Sequence, residues 1–163
     1  MDEKLEKHFD EVYEKEFEGN IAVRKDTLKK RGIPARRILI EEFAEVGELD
    51  ESDDRLTRFE RKTTEYGKLA DRPTVESGAA YMGKVLGAID YVGKELGEVR
   101  LSPLVESSNT AGPSTGYFVW DITPDHVRLD STRETTGLSD NEKRAWKKSL
   151  KEAYEHDDWY LPE

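Results

Sequence analysis

Ser114 lies in the pentapeptide GPSTG, residues 112–116, which matches the pattern G-x-S-x-G of a nucleophile elbow. Such an elbow places its serine between a buried strand and a helix. Here the polar residues ESSNTA precede the pentapeptide and the strand-like residues YFVWDI follow it. The order of elements is therefore wrong for a serine hydrolase, and we interpret GPSTG as the tip of a hairpin, where glycine and proline turn the chain.

The loop that contains this pentapeptide, residues 106–116, is long for a hairpin. Long polar loops often contact a partner, because they project from the surface and adapt to what they meet. The candidate partner-binding residues of this loop are Asn109, Pro113, Ser114 and Thr115.

Two further motifs could support enzyme chemistry. Asp121, Asp125, His126 and Asp130 offer oxygen and nitrogen ligands for a divalent cation, if the fold brings them together. We favour a polar turn, ITPDH, between two strands, and expect neither a metal nor another cofactor. Residues 78–84, GAAYMGK, resemble a P-loop, but Val85 stands where serine or threonine must bind magnesium. Residues 79–82 fit a helix instead.

A basic stretch is the most asymmetric charge feature of the chain. The segment LKKRGIPARRILIEEF has the spacing of a helix-turn-helix unit, with one helix ending at Gly32 and the next starting at Pro34. Its candidate contacts with DNA or with an acidic partner are Lys29, Lys30, Arg31, Arg36 and Arg37. The alternative, which we favour, is that these cations neutralise acidic neighbours within the chain or across an interface.

Helical periodicity dominates the N-terminal half. Apolar residues recur at helical spacing in five segments: residues 3–18, 21–31, 34–47, 52–70 and 74–96. The last and strongest of these repeats a small residue every four positions, at Ala79, Gly83 and Gly87. Because each mid-helix glycine costs about 1 kcal/mol relative to alanine, we expect this face to be a tight helix-packing or oligomer seam.

The pattern then changes to a period of two, which is typical of strands. Residues 99–105, 117–122 and 126–130 predict a small antiparallel sheet built on the long-loop hairpin. A capping box that begins at Ser139 opens a last helix with the apolar face Trp146, Leu150, Ala153 and Tyr154. The sequence thus predicts an α+β fold in one domain, with a helical region at 1–97 and the sheet and C-terminal helix at 98–163.

Composition limits the functional classes. The chain has 163 residues, a formal net charge of −10 and no cysteine. The negative charge disfavours unspecific attraction to nucleic acid or to an anionic membrane, and favours a basic partner. The absence of cysteine excludes a disulfide framework, thiolate metal sites and a cysteine nucleophile. The acidic N-terminus lacks the apolar run of a signal peptide, and we expect a cytoplasmic or virion protein without a membrane segment.

These observations favour a non-enzymatic assembly protein, a small acidic subunit that docks to other protein subunits as a homo- or hetero-oligomer. Its most specific form is a structural connector or completion subunit of a tailed virus particle. Two alternatives stay open: a helix-turn-helix DNA-binding regulator that uses the basic stretch, and a small hydrolase or metal-dependent enzyme that uses Ser114 or the aspartates from Asp121 to Asp130.

Overall fold

The computed structural model describes residues 2–49, 61–107 and 140–162. These residues are 65% helical and include five α-helices. In chain order the elements are α1 (Glu3–Val12), a π-helical turn (Tyr13–Phe17), α2 (Lys25–Leu39), a second π-helical turn (Ile40–Ala44), β1 (Thr64–Glu65), α3 (Tyr66–Ala70), α4 (Ala79–Leu96), a 3₁₀ turn (Ser102–Leu104), β2 (Val105–Glu106) and α5 (Asp140–Glu155).

The first helix forms as its periodicity predicts. Asp2 caps it, because one carboxylate oxygen accepts a 2.8 Å hydrogen bond from the Leu5 amide. Leu5, Phe9 and Val12 are buried on one face. The π-helical turn extends the helix to Phe17, and Gly19 then ends it with φ of +94°, a conformation that glycine adopts without strain.

The predicted helix-turn-helix is wrong. Gly32 and Pro34 both lie inside one continuous helix, α2. Gly32 does not end the helix. The glycine allows α2 to pack closely on α1, because a Cβ atom at this position would lie 2.5 Å from Phe9 Cε1. Pro34 removes one helical N–H, but the helix continues through it to Leu39 and then into the second π-helical turn.

The predicted fourth helix, residues 52–70, is also wrong in its described part. Residues 61–63 are not helical, Thr64–Glu65 form a strand, and only Tyr66–Ala70 form a helix. The strand forms because these residues pair with β2, which lies 41 positions further along the chain. Thr64 pairs with Val105, and Glu65 pairs with Glu106. Residues 52–60 lie outside the described part of the chain.

Helix α4 is the centre of the core. It begins at Ala79, five residues later than its periodicity predicts, and ends at Gly97, whose φ is +77°. It packs against α1 and α2, and these two pack on each other. Its buried residues are Met82, Val85, Leu86, Ala88, Ile89 and Val92. Residues 79–83 are helical, as expected of a helix interior rather than a phosphate-binding loop.

The described sheet differs from the predicted one. It has two strands, and they run parallel. Parallel strands need a long crossover connection, and the connection between β1 and β2 contains α3 and α4. Ser102–Leu104, expected within a strand, form a 3₁₀ turn before β2. The predicted hairpin strands 117–122 and 126–130 lie outside the described residues.

Helix α5 packs with its predicted apolar face. Trp146, Leu150 and Ala153 are buried, and Trp146 Nε1 donates a 2.8 Å hydrogen bond to the carbonyl oxygen of Pro103. Tyr154 is partly buried against Gly47. None of the helices in the described segments has the length and apolar character required to cross a membrane.

Candidate functional site

A buried ion pair between Arg36 and Glu98 forms the centre of the site. Arg36 lies on the buried face of α2, and Glu98 follows the glycine that ends α4. Arg36 Nη2 lies 2.6 Å from Glu98 Oε1 and 2.8 Å from Oε2, and each side chain is 1% exposed. The two charges therefore face each other away from water, where both need further hydrogen bonds.

The C-terminal tail, residues 156–162, binds both members of the pair, while Arg36 Nε has no hydrogen-bond partner among the described residues. Glu98 Oε2 accepts a 2.6 Å hydrogen bond from the Tyr160 amide, and Arg36 Nη1 donates a 2.5 Å hydrogen bond to the Tyr160 carbonyl oxygen. Arg37 donates to the carbonyl oxygen of Pro162. The ion pair thus binds both backbone groups of one residue in an extended segment.

The Tyr160 side chain reaches the N-terminus of α1. Its hydroxyl donates a 2.9 Å hydrogen bond to Asp2, and Lys4 Nζ lies 4.3 Å from the centre of its ring. The hydrogen bond to Asp2 raises the pKa of Tyr160. The pKa of Asp2 is lowered, first by the hydrogen bond from the Leu5 amide and also by that from Tyr160. Both shifts favour the protonation states that hold the tail at neutral pH.

We call this surface the tail groove, with the lining residues Asp2, Lys4, Leu5, Ile33, Arg36, Arg37 and Glu98. Beside the docked tail it contains a half-open cavity of about 430 Å³, to which Leu161 and Pro162 contribute one wall. The cavity combines the apolar side chains Leu5, Ile33 and Leu161 with charged groups, a composition that suits a peptide segment.

The beginning of the tail docks less completely. His156 Nε2 and Trp159 Nε1 are buried and have no hydrogen-bond partner among the described residues. Their rings meet edge to face, with centres 4.4 Å apart. Since a buried polar group without a partner costs about 1–3 kcal/mol, residues 156–159 are held less well than Tyr160.

The basic stretch is used mainly inside the chain. Lys29 Nζ lies 3.0 Å from Asp10 Oδ1, Arg37 Nη1 lies 2.7 Å from Glu41 Oε1, and Arg31 stacks over the Tyr81 ring at 4.9 Å. Lys30 is exposed. Arg36, predicted to contact DNA or an acidic partner, has its guanidinium buried against Glu98 within the chain.

Two other polar clusters hold chain segments together. Asp90 on α4 accepts 3.0 Å hydrogen bonds from the amides of Leu101 and Ser102, a hydrogen bond from the Ser102 hydroxyl, and a 3.0 Å bond from Arg100 Nε. Glu106 on β2 accepts from Arg61 Nε at 2.8 Å and from the Thr63 hydroxyl. Asp90 thus fixes backbone after α4, and Glu106 binds two side chains of the segment that precedes β1.

Within residues 2–49, 61–107 and 140–162, one group of side chains has the geometry to ligate a metal ion. His8 Nδ1 lies 2.8 Å from Glu95 Oε2 and 3.9 Å from Glu11 Oε2. The other Glu95 oxygen, Oε1, lies 3.3 Å from Lys15 Nζ, so an ammonium group already neutralises this carboxylate. The arrangement is an exposed ion-pair cluster between α1 and α4.

The remaining predicted site residues are separated from the tail groove. Ala79 is the first residue of α4 and Gly87 is buried within it, whereas a Cβ atom on Gly83 would meet no atom within 4 Å. Gly83 therefore packs against nothing in the described chain. Asn109, Pro113, Ser114, Thr115 and the aspartates from Asp121 to Asp130 lie outside the described residues.

Sequence reasoning missed Asp2, Glu98 and Tyr160. The available signal was the tail itself, HDDWYLPE, where three apolar residues follow a run of charge.

No protein family, curated protein or solved structure matches the chain.

Proposed function

We propose that the protein is a non-enzymatic assembly subunit that acts by docking to other protein chains. The observation that carries this proposal is the tail groove, in which a buried Arg36–Glu98 pair binds the N–H and C=O of Tyr160. Main-chain hydrogen bonds combined with a side-chain pocket are a common means of peptide recognition between proteins. The groove is a preformed site of this kind, built on helices of the core.

The charge distribution supports the same proposal. Some cations of the described chain are paired with acids, as in Lys25 with Glu14 at 3.1 Å and Arg72 with Glu42 at 2.5 Å. Several carboxylates are exposed and form no ion pair within the described segments: Glu16, Glu18, Glu45 and Glu48. Together with the formal net charge of −10, these carboxylates favour contact with a basic surface of a partner.

The most specific form of the proposal is a structural connector or completion subunit of a tailed virus particle, found in the cytoplasm during assembly and then in the virion. Such subunits hold one chain in a fixed position on another, and a docked tail serves that purpose. Partners are other protein subunits, and the tail groove favours copies of this chain among them.

Light scattering coupled to size exclusion tests the proposal on the full chain. The monomer has a mass of 18.7 kDa. We expect larger masses, in integral multiples, as protein concentration rises, and we expect added salt to promote them, because salt screens the repulsion between copies of net charge −10. A monomeric mass at every protein and salt concentration contradicts self-assembly.

A further inference from the structure

We infer that the tail groove accepts residues 156–162 of a second copy, so that neighbouring chains exchange their C-terminal tails. The inference rests on the proposed function, because it names the contact by which copies assemble. The occupant is the same peptide that fills the groove within one chain, and every copy carries both the peptide and the groove. Exchange of an identical element is a direct route from a monomer to a closed or extended assembly.

The contacts of the groove do not depend on which chain supplies the tail. Glu98 and Arg36 bind the amide and carbonyl of Tyr160, and Arg37 binds the Pro162 carbonyl. The Tyr160 hydroxyl binds Asp2, and its ring lies under Lys4. Each partner in these pairs is more than 60 positions away from the tail, so none is imposed by local chain geometry.

The tail can leave the groove without unpacking α5. Helix α5 is held separately, by buried Trp146, Leu150 and Ala153 and by the hydrogen bonds between the Tyr154 hydroxyl and the backbone of Lys62. Its last residue is Glu155, and Asp157 and Asp158 beyond it are exposed. Residues 156–158 are thus suitable as a hinge between a fixed helix and an exchangeable segment.

Docking within one chain leaves buried polar atoms of both the tail and the groove without hydrogen-bond partners in the described chain, including Arg36 Nε. His156 Nε2 and Trp159 Nε1 are buried and unpaired in the described chain. Buried polar groups without partners destabilise the closed form, which lowers the cost of releasing the tail from its own groove.

Single-cysteine variants test the exchange, because the natural chain contains no cysteine. Ile33→Cys places a thiol in the groove and Leu161→Cys places one on the tail, since both side chains line the same cavity. The two full-length variants, one with an affinity tag for mass discrimination, are mixed at high concentration and oxidised. We expect a disulfide-linked heterodimer, resolved by intact mass spectrometry after non-reducing electrophoresis.

A matched control measures random collision. Lys68→Cys replaces Ile33→Cys, because the Lys68 side chain is 75% exposed and lies on α3. We expect several-fold less heterodimer in this mixture. Equal yields in the two mixtures overturn the inference. A second pair, Arg37→Cys with Pro162→Cys, repeats the test at an exposed position if the Ile33 variant fails to fold by circular dichroism.

A peptide competitor tests the recognition itself. The synthetic peptide HDDWYLP, residues 156–162, is expected to suppress the heterodimer when added in excess. The same peptide with alanine in place of tyrosine is expected to suppress it several-fold less, because it lacks the groups that bind Asp2 and Lys4. Equal suppression by both peptides contradicts recognition by the groove.

The outcomes separate this inference from the proposed function. Larger masses in light scattering without the heterodimer leave the assembly function intact and overturn tail exchange. A monomeric mass at every concentration, together with absence of the heterodimer, overturns both tail exchange and the self-assembling form of the proposed function.

Discussion

Arg36 Nη2 lies 2.6 Å from Glu98 Oε1, although 62 residues separate the two in sequence and each side chain is only 1% exposed. This pair joins α2 to the end of α4, and the tail completes it through Tyr160. The net contribution of a buried ion pair of this kind to stability is small, because desolvation offsets much of its attraction. Removal of only one member of the pair lowers stability strongly, however, because the other charge then stays buried without its partner.

Arg36→Met is expected to lower the free energy of unfolding by about 3–5 kcal/mol, because it leaves the Glu98 carboxylate buried without its cation. Urea denaturation followed by circular dichroism measures the change. Arg72→Met is the matched control, since Arg72 pairs with Glu42 at a surface where the two side chains are 39% and 47% exposed. That change is expected to cost less than about 1 kcal/mol. Similar costs for the two variants contradict the special role of the buried pair.

Gly32→Ala and Gly83→Ala are expected to have opposite effects, although both glycines lie inside helices. A Cβ atom on Gly32 would lie 2.5 Å from the buried Phe9 ring, and overpacking of this kind costs about 1–3 kcal/mol. A Cβ atom on Gly83 would meet no neighbour, so the helix propensity of alanine is expected to stabilise the protein by about 0.5–1 kcal/mol. Thermal unfolding of the two variants checks the signs. Destabilisation by Gly83→Ala would indicate that this face packs against another chain.

Asp90→Asn is expected to lower the free energy of unfolding by about 1.5–3 kcal/mol, since hydrogen bonds to a charged acceptor are the stronger ones. Asparagine keeps the shape but removes the charge opposite Arg100 and one acceptor oxygen from the 3₁₀ turn. Amide hydrogen exchange gives a local measurement. Leu101 and Ser102 are expected to exchange faster, while amides of α5 keep their relative protection. Unchanged exchange at these two amides would refute the role assigned to Asp90.

Ionisation of Tyr154 is expected to lower the free energy of unfolding at alkaline pH. Burial raises the pKa of its hydroxyl to about 12. The tyrosine of an unfolded chain ionises near pH 10, so the unfolded state loses its proton first as pH rises. Stability from this group is therefore full below about pH 10 and declines between about pH 10 and pH 12. Tyr154→Phe is expected to flatten this decline in urea denaturation, and the 295 nm titration is expected to lose its latest component. An unchanged pH dependence in the variant contradicts this assignment.

The helices show what local pattern can predict. Three predicted helices lie close to observed ones. They are the helix at residues 3–18, the long helix that ends at Gly97, and the last helix, which the capping box predicted. In each case the apolar face and the residue that ends the helix lie within one segment, so the local sequence is sufficient to predict the helix. Thr64 and Glu65 do not meet this condition, because they form a strand only by pairing with β2, whereas their local pattern indicated a helix.

The tail groove shows why the candidate site was only partly predictable. Arg36 was singled out for its charge, yet its partners lie 62 and 124 positions away. Whether a cation faces solvent, nucleic acid or a buried carboxylate is decided by which elements pack beside it, and this information is not local. Asp2 and Tyr160 lie at opposite ends of the chain and meet only in the folded protein.

The sequence by itself determined the acidic character of the protein, the absence of cysteine chemistry and the position of its strongest helices, because composition and periodicity are local properties. Only the tertiary structure decided that Gly32 and Pro34 lie within one helix, that the described strands run parallel, and that Arg36 is enclosed with Glu98. The physical reason is the same for all three. Steric fit against Phe9, pairing of backbone hydrogen bonds between distant strands, and desolvation of an ion pair are set by groups far apart in the chain.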